Sequence, residues 1–313
     1  MNAAPRLLAI GGAHLDRRGQ VSGDYVPAAS NPGTMREEVG GGAFNALRTA
    51  VACGVKGSLF SVRGGDAAGL RVAREAADWR IEDLSVTFLD RATPSYTAIL
   101  DRNGDLVAGL ADMALYGLAL GRQMRRRSLR DAVAACDAVL CDANMPADGI
   151  EILARLSGKP LHAIAVSPAK VARLTGVLPE LACLFMNRRE AEVVAGVDTD
   201  DIDLLAGELA ARGLRTAVIT SGSREVTIMQ GRDILAVDVP TAATVVDVTG
   251  AGDALAGATV AAMMRGAALP EAVREGVARA TLTVESDRAV ARFAAGDMAR
   301  RLVQVPGPRR ISR

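Results

Sequence analysis

The chain has 313 residues, enough to bury a sizeable core in one large α/β domain or two modest ones. Half of it is hydrophobic but only 3% aromatic, so the core must be mostly Ala, Val and Leu, which favours helices packed on a sheet over an aromatic-rich β-sandwich. With 37 Lys plus Arg against 36 Asp plus Glu, the net charge of +1 gives no electrostatic footprint for nucleic acid.

In chain order, "RLLAIGG" (6–12) is an apolar run closed by two glycines and reads as a buried strand. Residues 13–38 are polar, lack a helical period and hold Gly19, Gly23, Pro27, Pro32 and Gly33. "GGGAFNALRTAVACG" (40–54) reads as a helix, with apolar residues at Leu47, Val51 and Ala52 and Gly54 as its stop. "GSLFSVRGGD" (57–66) repeats the strand pattern of the first run. In "TPSYTAILDRNGDLVAGLAD" (93–112), Asn103-Gly104 between two apolar runs is the strongest short hairpin signal of the chain. Residues 13–38 and 93–112 together are expected to form a small β-sheet that stands off the main body as a lid; an ordinary surface hairpin is the plainer alternative. The arginines of 121–130 read as a solvated helix end. Buried strands are expected at 138–143, 161–166, 183–187 and 216–222, with helices at 147–157, 188–195 and 202–213 between them. This alternation implies a mostly parallel sheet covered on both faces. Residues 223–240 read as a second hairpin turning at Gln230-Gly231-Arg232, and the basic end 306–313 as a frayed tail.

The four cysteines form no C-x-x-C pair and the two histidines are far apart, which excludes a zinc site by number and spacing. Cys53, Cys141 and Cys183 sit in apolar stretches as small core residues. The N-terminal apolar stretch is too short for a signal peptide, and no apolar run reaches the roughly 18 residues of a membrane span. A cytoplasmic protein that engages neither membrane nor nucleic acid is expected.

"VVDVTGAGDALAG" (245–257) carries the chemistry. The run after Asp253 is apolar on every side and so must be a buried helix, fixed in position. The first N–H groups of a helix lack internal partners and point outward with the positive end of the dipole. Gly250 and Gly252 leave room for close approach, so the turn suits a phosphate. A carboxylate there would repel the phosphate; Asp253 makes sense as the base that takes a proton from an alcohol attacking phosphorus. A tight strand-to-helix turn with Asp253 as a cap is the competing reading. The P-loop pattern is absent, because the lone Gly158-Lys159 is followed by Pro160, and "AIGGAHLD" lacks the third glycine of a dinucleotide fingerprint.

At this point the chain resembles the ribokinase-like (PfkB) family of carbohydrate and nucleoside kinases. "DVTGAGD" is similar to the family's D-T-x-G-A-G-D signature, "GGGAFNALRTAVACG" to its Gly-Gly-x-x-x-Asn helix, "MNRRE" (186–190) to its Asn-x-x-Glu motif and "ITSGSREV" (219–226) to its Thr-x-Gly strand. The resemblance spans nearly the whole chain and implies one kinase domain over 1–313. Its implied fold is a mostly parallel central sheet with flanking helices and a small β lid. It implies ATP and Mg²⁺ as cofactors and Asp253 as catalytic base. Gly250, Ala251 and Gly252 would form the anion hole. Asn187, Thr220 and Gly222 would contact the nucleotide, and Glu190 would hold Mg²⁺ through water. Asp16, Gly41, Gly42, Asn45 and Asn144 would hold substrate hydroxyls, as carboxylates and amides suit vicinal hydroxyls. Asp247 and Thr249 match positions that bind a monovalent cation such as K⁺ in some members. Val248 and Leu255 replace the more common Thr and Phe, and Ala43-Phe44 replaces a Lys-Gly frequent in ribokinases, which argues against ribose.

The lid stretch 94–116 resembles that of the family's pseudouridine kinases, with Tyr96 and Asp112 as polar candidates for base or ribose contact; lid packing and a strand-end cap are their plainer roles. The resemblance implies phosphorylation of a nucleoside 5′-hydroxyl. The alternatives are a sugar kinase acting on ribose, fructose or a keto-deoxy sugar, and a catalytically silent nucleoside or sugar sensor. An exposed lid edge would suit a homodimer.

Overall fold

The computed structural model describes residues 3–311. In chain order its strands are β1 (Arg6–Ile10), β2 (His14–Val21), β3 (Gly33–Gly40), β4 (Lys56–Phe60), β5 (Val62–Gly64), β6 (Glu82–Asp83), β7 (Val86–Phe88), β8 (Ser95–Leu100), β9 (Leu106–Asp112), β10 (Ala138–Asp142), β11 (Leu161–Ile164), β12 (Leu181–Asn187), β13 (Thr216–Thr220), β14 (Val226–Gln230), β15 (Asp233–Val237) and β16 (Arg309–Arg310).

Ten strands make the central sheet, in the order β16-β15-β14-β13-β12-β11-β10-β1-β4-β6. From β6 to β13 every neighbouring pair is parallel, and from β13 to β16 every pair is antiparallel. Side chains alternate across a strand, so β1 sends Leu8 and Ile10 into one apolar layer and Leu7 and Ala9 into the other. Helices Ala147–Leu156, Arg188–Ala195 and Ile202–Ala211 cover the first face, and Gly42–Ala52, Ala251–Met264 and Leu269–Val284 the second. Helix Ala251–Met264 is buried continuously from Ala254 to Ala262, as its all-round apolar sequence requires.

The lid is a separate four-stranded sheet, β3-β2-β8-β9. Its β8–β9 hairpin turns at Asn103-Gly104, with Gly104 at φ +90° and the Asp101 carboxylate accepting from the N–H groups of Asn103 and Asp105. The side chain thereby closes a longer loop than the two-residue turn that Asn-Gly suggests. The second hairpin turns after Gln230 as expected, with Gly231 at φ +62°.

Two readings change. The run 57–66 is two strands, because Ser61 turns its hydroxyl onto the Gly11 carbonyl at 2.6 Å and β5 leaves to pair with β7. Of the basic end 306–313, whose last two residues lie outside the described residues, Arg309 and Arg310 do not fray: they add β16 to the sheet edge, where Arg309 meets Glu225 and Asp238 and Arg310 meets Asp233. Cys141 and Cys183 lie in the core, whereas Cys53 is only half-buried.

Candidate active site

The parallel strands end their carboxyl sides on one rim, and the sequence-predicted residues gather there. Asp253 sits in the first turn of helix Ala251–Met264, and Gly250 precedes it in the left-handed region at φ +78°. No side chain caps this helix. The Ala251 N–H turns back to the Val248 carbonyl at 3.3 Å, while those of Gly252 and Asp253 meet no acceptor among the described residues. The N–H groups of Gly250, Gly252 and Asp253 are therefore the free donors of the turn among the described residues. The two glycines also differ in purpose. A Cβ on Gly252 would enter open space, so this glycine leaves the approach to the donors clear. A Cβ on Gly250 would lie 2.5 Å from the Ala289 carbonyl oxygen, so that glycine serves the fold of the turn and not access to it.

The Asp253 carboxylate is half-buried and accepts from Asn45 Nδ2 at 2.9 Å. Burial pushes its pKa up to about 7, with the carboxylates of Asp142 and Asp16 pushing the same way against the Asn45 hydrogen bond. A carboxyl poised near neutrality at a cleft is suited to proton transfer. Asn45 is held in turn: fully buried Arg48 donates to its Oδ1 at 2.6 Å, which leaves only the amide nitrogen to face Asp253. Arg48 also donates to Glu75 at 2.7 Å and to the Val39 carbonyl at 2.7 Å, and lies over the Phe44 ring.

Gly41 has φ +109°, and a Cβ there would strike the Gly12 carbonyl at 2.2 Å. Gly42 lies between carboxylates: its Cβ would be 3.3 Å from Asp142 Oδ2 and 3.5 Å from Asp253 Oδ1. Asp142, which the sequence reading passed over, is fully buried and stitches three segments, accepting from the N–H of Gly12 at 3.1 Å, of Ala43 at 2.9 Å and of Asn144 at 3.0 Å. Its place at the end of the apolar "AVLCD" strand was the available signal. The Asn144 amide is engaged at both ends: Nδ2 donates to Asp142 at 2.9 Å, and Oδ1 accepts from Lys170 Nζ at 2.7 Å. Lys170 is the other residue missed, one of three lysines in an arginine-rich chain.

A cleft of about 230 Å³ is lined by Asn187, Glu190, Thr220, Gly252 and Asp253 together with apolar Val166, Phe185 and Leu255. Asn187 and Glu190 close a capping box at the start of helix Arg188–Ala195: Asn187 Oδ1 accepts from the Glu190 N–H at 3.0 Å and Glu190 Oε2 from the Asn187 N–H at 2.7 Å. Burial raises the Glu190 carboxyl above its ordinary value. Gly222 does not line this cleft; it stands two residues beyond Thr220 at φ +67°.

On the lid, Asp16 is paired in register with Tyr96 and with Glu38, so all three share one face. His14 Nε2 lies 3.2 Å from Asp16 Oδ1, and His14 Nδ1 lies 3.1 Å from the Tyr116 hydroxyl. The Tyr96 ring lies across Gly109, where a Cβ would come within 2.8 Å of its hydroxyl. Asp112 is not brought to this face: it pairs with Ser95, one row along, and points exposed to the other side. Asp247 and Thr249 do not offer a free ligand set either, because both accept from the Arg18 guanidinium, Thr249 Oγ1 at 2.6 Å.

Residues 4–292 match the pfkB family of carbohydrate kinases. The chain belongs to that family. A carbohydrate kinase from Agrobacterium tumefaciens has the same fold, with a TM-score of 0.87 and 41% identity over 98% of this chain and all of that one. A pseudouridine kinase of Escherichia coli is 24% identical over 85% of this chain and 86% of its own length. A ribokinase of Haemophilus influenzae is also 24% identical, over 85% and 90%. The fold is ribokinase-like, and this member of the pfkB family is an ATP-dependent kinase. No helix among the described residues is long and apolar enough to cross a membrane.

Proposed function

We propose that this kinase transfers the γ-phosphoryl group of ATP to a primary hydroxyl of a nucleoside, pseudouridine first. The observation that carries the chemistry is Asp253: a carboxyl held near neutrality, oriented by Asn45, in the same helical turn as two free helix N–H groups. Asp253 removes the hydroxyl proton, and the N–H groups of Gly252 and Asp253, in the turn shaped by Gly250 and Ala251, stabilise charge on the transferring group. Asn187, Thr220 and Gly222 contact the nucleotide. Glu190, with one carboxylate oxygen outside its capping box, fits an outer-sphere role towards Mg²⁺, which when bound with ATP offsets phosphate charge. Asp16, Gly41, Gly42 and Asn45 line the acceptor side, with Tyr96 on the same lid face as Asp16.

Two observations favour a nucleoside: the lid stretch 94–116 and the pseudouridine kinase relative, at 24% identity. The ribokinase relative at the same identity keeps a plain sugar as the second reading. ADP release from Mg·ATP against pseudouridine, uridine, adenosine, ribose, fructose and 2-keto-3-deoxygluconate separates them. Turnover on pseudouridine is expected, with Asp253→Asn lower by about 10²–10⁴-fold while it still binds ligand. Turnover on a sugar alone overturns the nucleoside; ligand binding without turnover on any acceptor favours a sensor.

A further inference from the structure

The loop that leads into the phosphate turn is held by a charge from the lid. Arg18 lies two residues beyond Asp16 on β2 and on the same lid face, which is turned towards the rim. Its guanidinium donates to Asp247 Oδ2 and, at 2.6 Å, to Thr249 Oγ1. The Thr249 N–H takes the other Asp247 oxygen at 2.9 Å. Gly250, whose conformation shapes the anion turn, follows directly. The contact is not isolated. On the same face, Arg36 of β3, in the row of Arg18, lies 3.7 Å from Asp287, and Glu38, in the row of Asp16, accepts weakly from the Ala289 N–H at 3.5 Å. Ala289 is the residue against which Gly250 packs. The lid thus touches the two loops that define the turn, 247–249 and 287–289.

The resemblance would put a monovalent cation on Asp247 and Thr249. The donor set does not fit that here: both Asp247 oxygens and the Thr249 hydroxyl already accept hydrogen bonds, and the positive charge such an ion would bring is present on Arg18. A planar guanidinium fork can meet a carboxylate and a neighbouring hydroxyl at once. We propose that Arg18 acts as a tethered cation, a positioning residue that sets the 247–250 loop in place of an alkali ion and makes the phosphate turn depend on the docked lid. The inference rests on the kinase reading of the Asp253 turn but not on which acceptor is used.

The first test needs no acceptor. Thermal melting is followed in potassium chloride and in N-methylglucamine chloride at matched ionic strength, for wild type, Arg18→Ala, Arg18→Lys and, as a same-strand control on the other lid face, Arg17→Ala. Wild type and Arg17→Ala are expected to melt alike in both salts. Arg18→Ala is expected to melt lower without K⁺ and to recover part of the loss with it, and Arg18→Lys to fall between. Nicking of the 22–31 lid loop by a nonspecific protease should accelerate in Arg18→Ala only. In turnover, Arg18→Ala should lose kcat by about tenfold or more in alkali-free medium, with a smaller change in KM, and regain activity with K⁺ or free guanidinium. A K⁺-specific rise in wild-type melting temperature or turnover overturns the proposal. So does an Arg18→Ala protein that matches wild type without alkali, or one that loses turnover with no K⁺-dependent gain in either readout. If no acceptor turns over, the melting and proteolysis results still decide the role of Arg18, while the nucleoside assignment fails separately.

Discussion

Asp253 is asked to be neutral and anionic within the working pH range. Its carboxyl sits near 7 because burial and the facing Asp142 and Asp16 carboxylates disfavour the charge more than the Asn45 hydrogen bond favours it. The base form exists only above that value, so kcat/KM of the free enzyme should fall on the acid side with a limb near pH 7, and a limb near pH 4 would remove Asp253 as the group that sets it. The same shift acts on stability with a definite sign. A carboxyl with a raised folded value binds its proton more tightly in the folded chain, so its contribution is full below about pH 4 and is lost as pH rises through about 7. Asp253→Asn removes that dependence, and the variant should melt above wild type at pH 8 and converge with it in acid. Arg48 governs the same residue from behind. Removing it as Arg48→Ala leaves Asn45 Oδ1 and the Val39 carbonyl without their donor, and should lower urea-measured stability by about 3–5 kcal/mol. The freed Asn45 amide would no longer be obliged to face Asp253, so turnover should drop further than folding alone explains at temperatures where the variant is fully folded.

Two glycines separated by a single residue show how one turn divides its labour. Gly250→Ala forces a left-handed φ of +78° on a residue with a Cβ and drives that Cβ to 2.5 Å from a backbone oxygen. It should cost about 1–2 kcal/mol from the conformation alone, with more from the clash, and lower the melting temperature. Gly252→Ala meets nothing and improves helix propensity, so stability should hold or rise slightly. Its methyl group would narrow the open approach to the turn, and ATP turnover should fall instead. Equal loss of stability in both would contradict this division. Elements of this kind were legible because their signals are local. The Asn187–Glu190 capping box spans four residues, helix Arg188–Ala195 was bounded to the residue, and Gly104 and Gly231 marked both hairpins. The Ser61 break and β16 were not legible, because each depends on a partner strand or carbonyl far along the chain.

What the sequence hid at the scale of the molecule is how the lid meets the body. Arg18 and Asp247 are 229 residues apart, and no periodicity links them. Asp16 and Asn45 could be named from motifs, but not that Asn144 would be engaged by Lys170, nor that strand alternation would turn Asp112 away from Tyr96. That outward turn bears on assembly. β9 ends the lid sheet, so among the described residues its outer N–H and C=O groups lack a neighbouring strand, and Leu110 on the side shared with Asp112 is 70% exposed. Such an edge is a template for pairing unless something covers it. A second copy of the same strand would cover both the edge and Leu110, and the Asp112 carboxylate would then lie beside the partner and not beside the acceptor. We therefore expect sedimentation velocity to give a dimer mass and the melting temperature to rise with protein concentration. Leu110→Arg, outside the catalytic cleft, should give monomers that still bind ATP. A wild-type protein of monomer mass across the whole concentration range would reject the lid dimer and return Asp112 to the solvent.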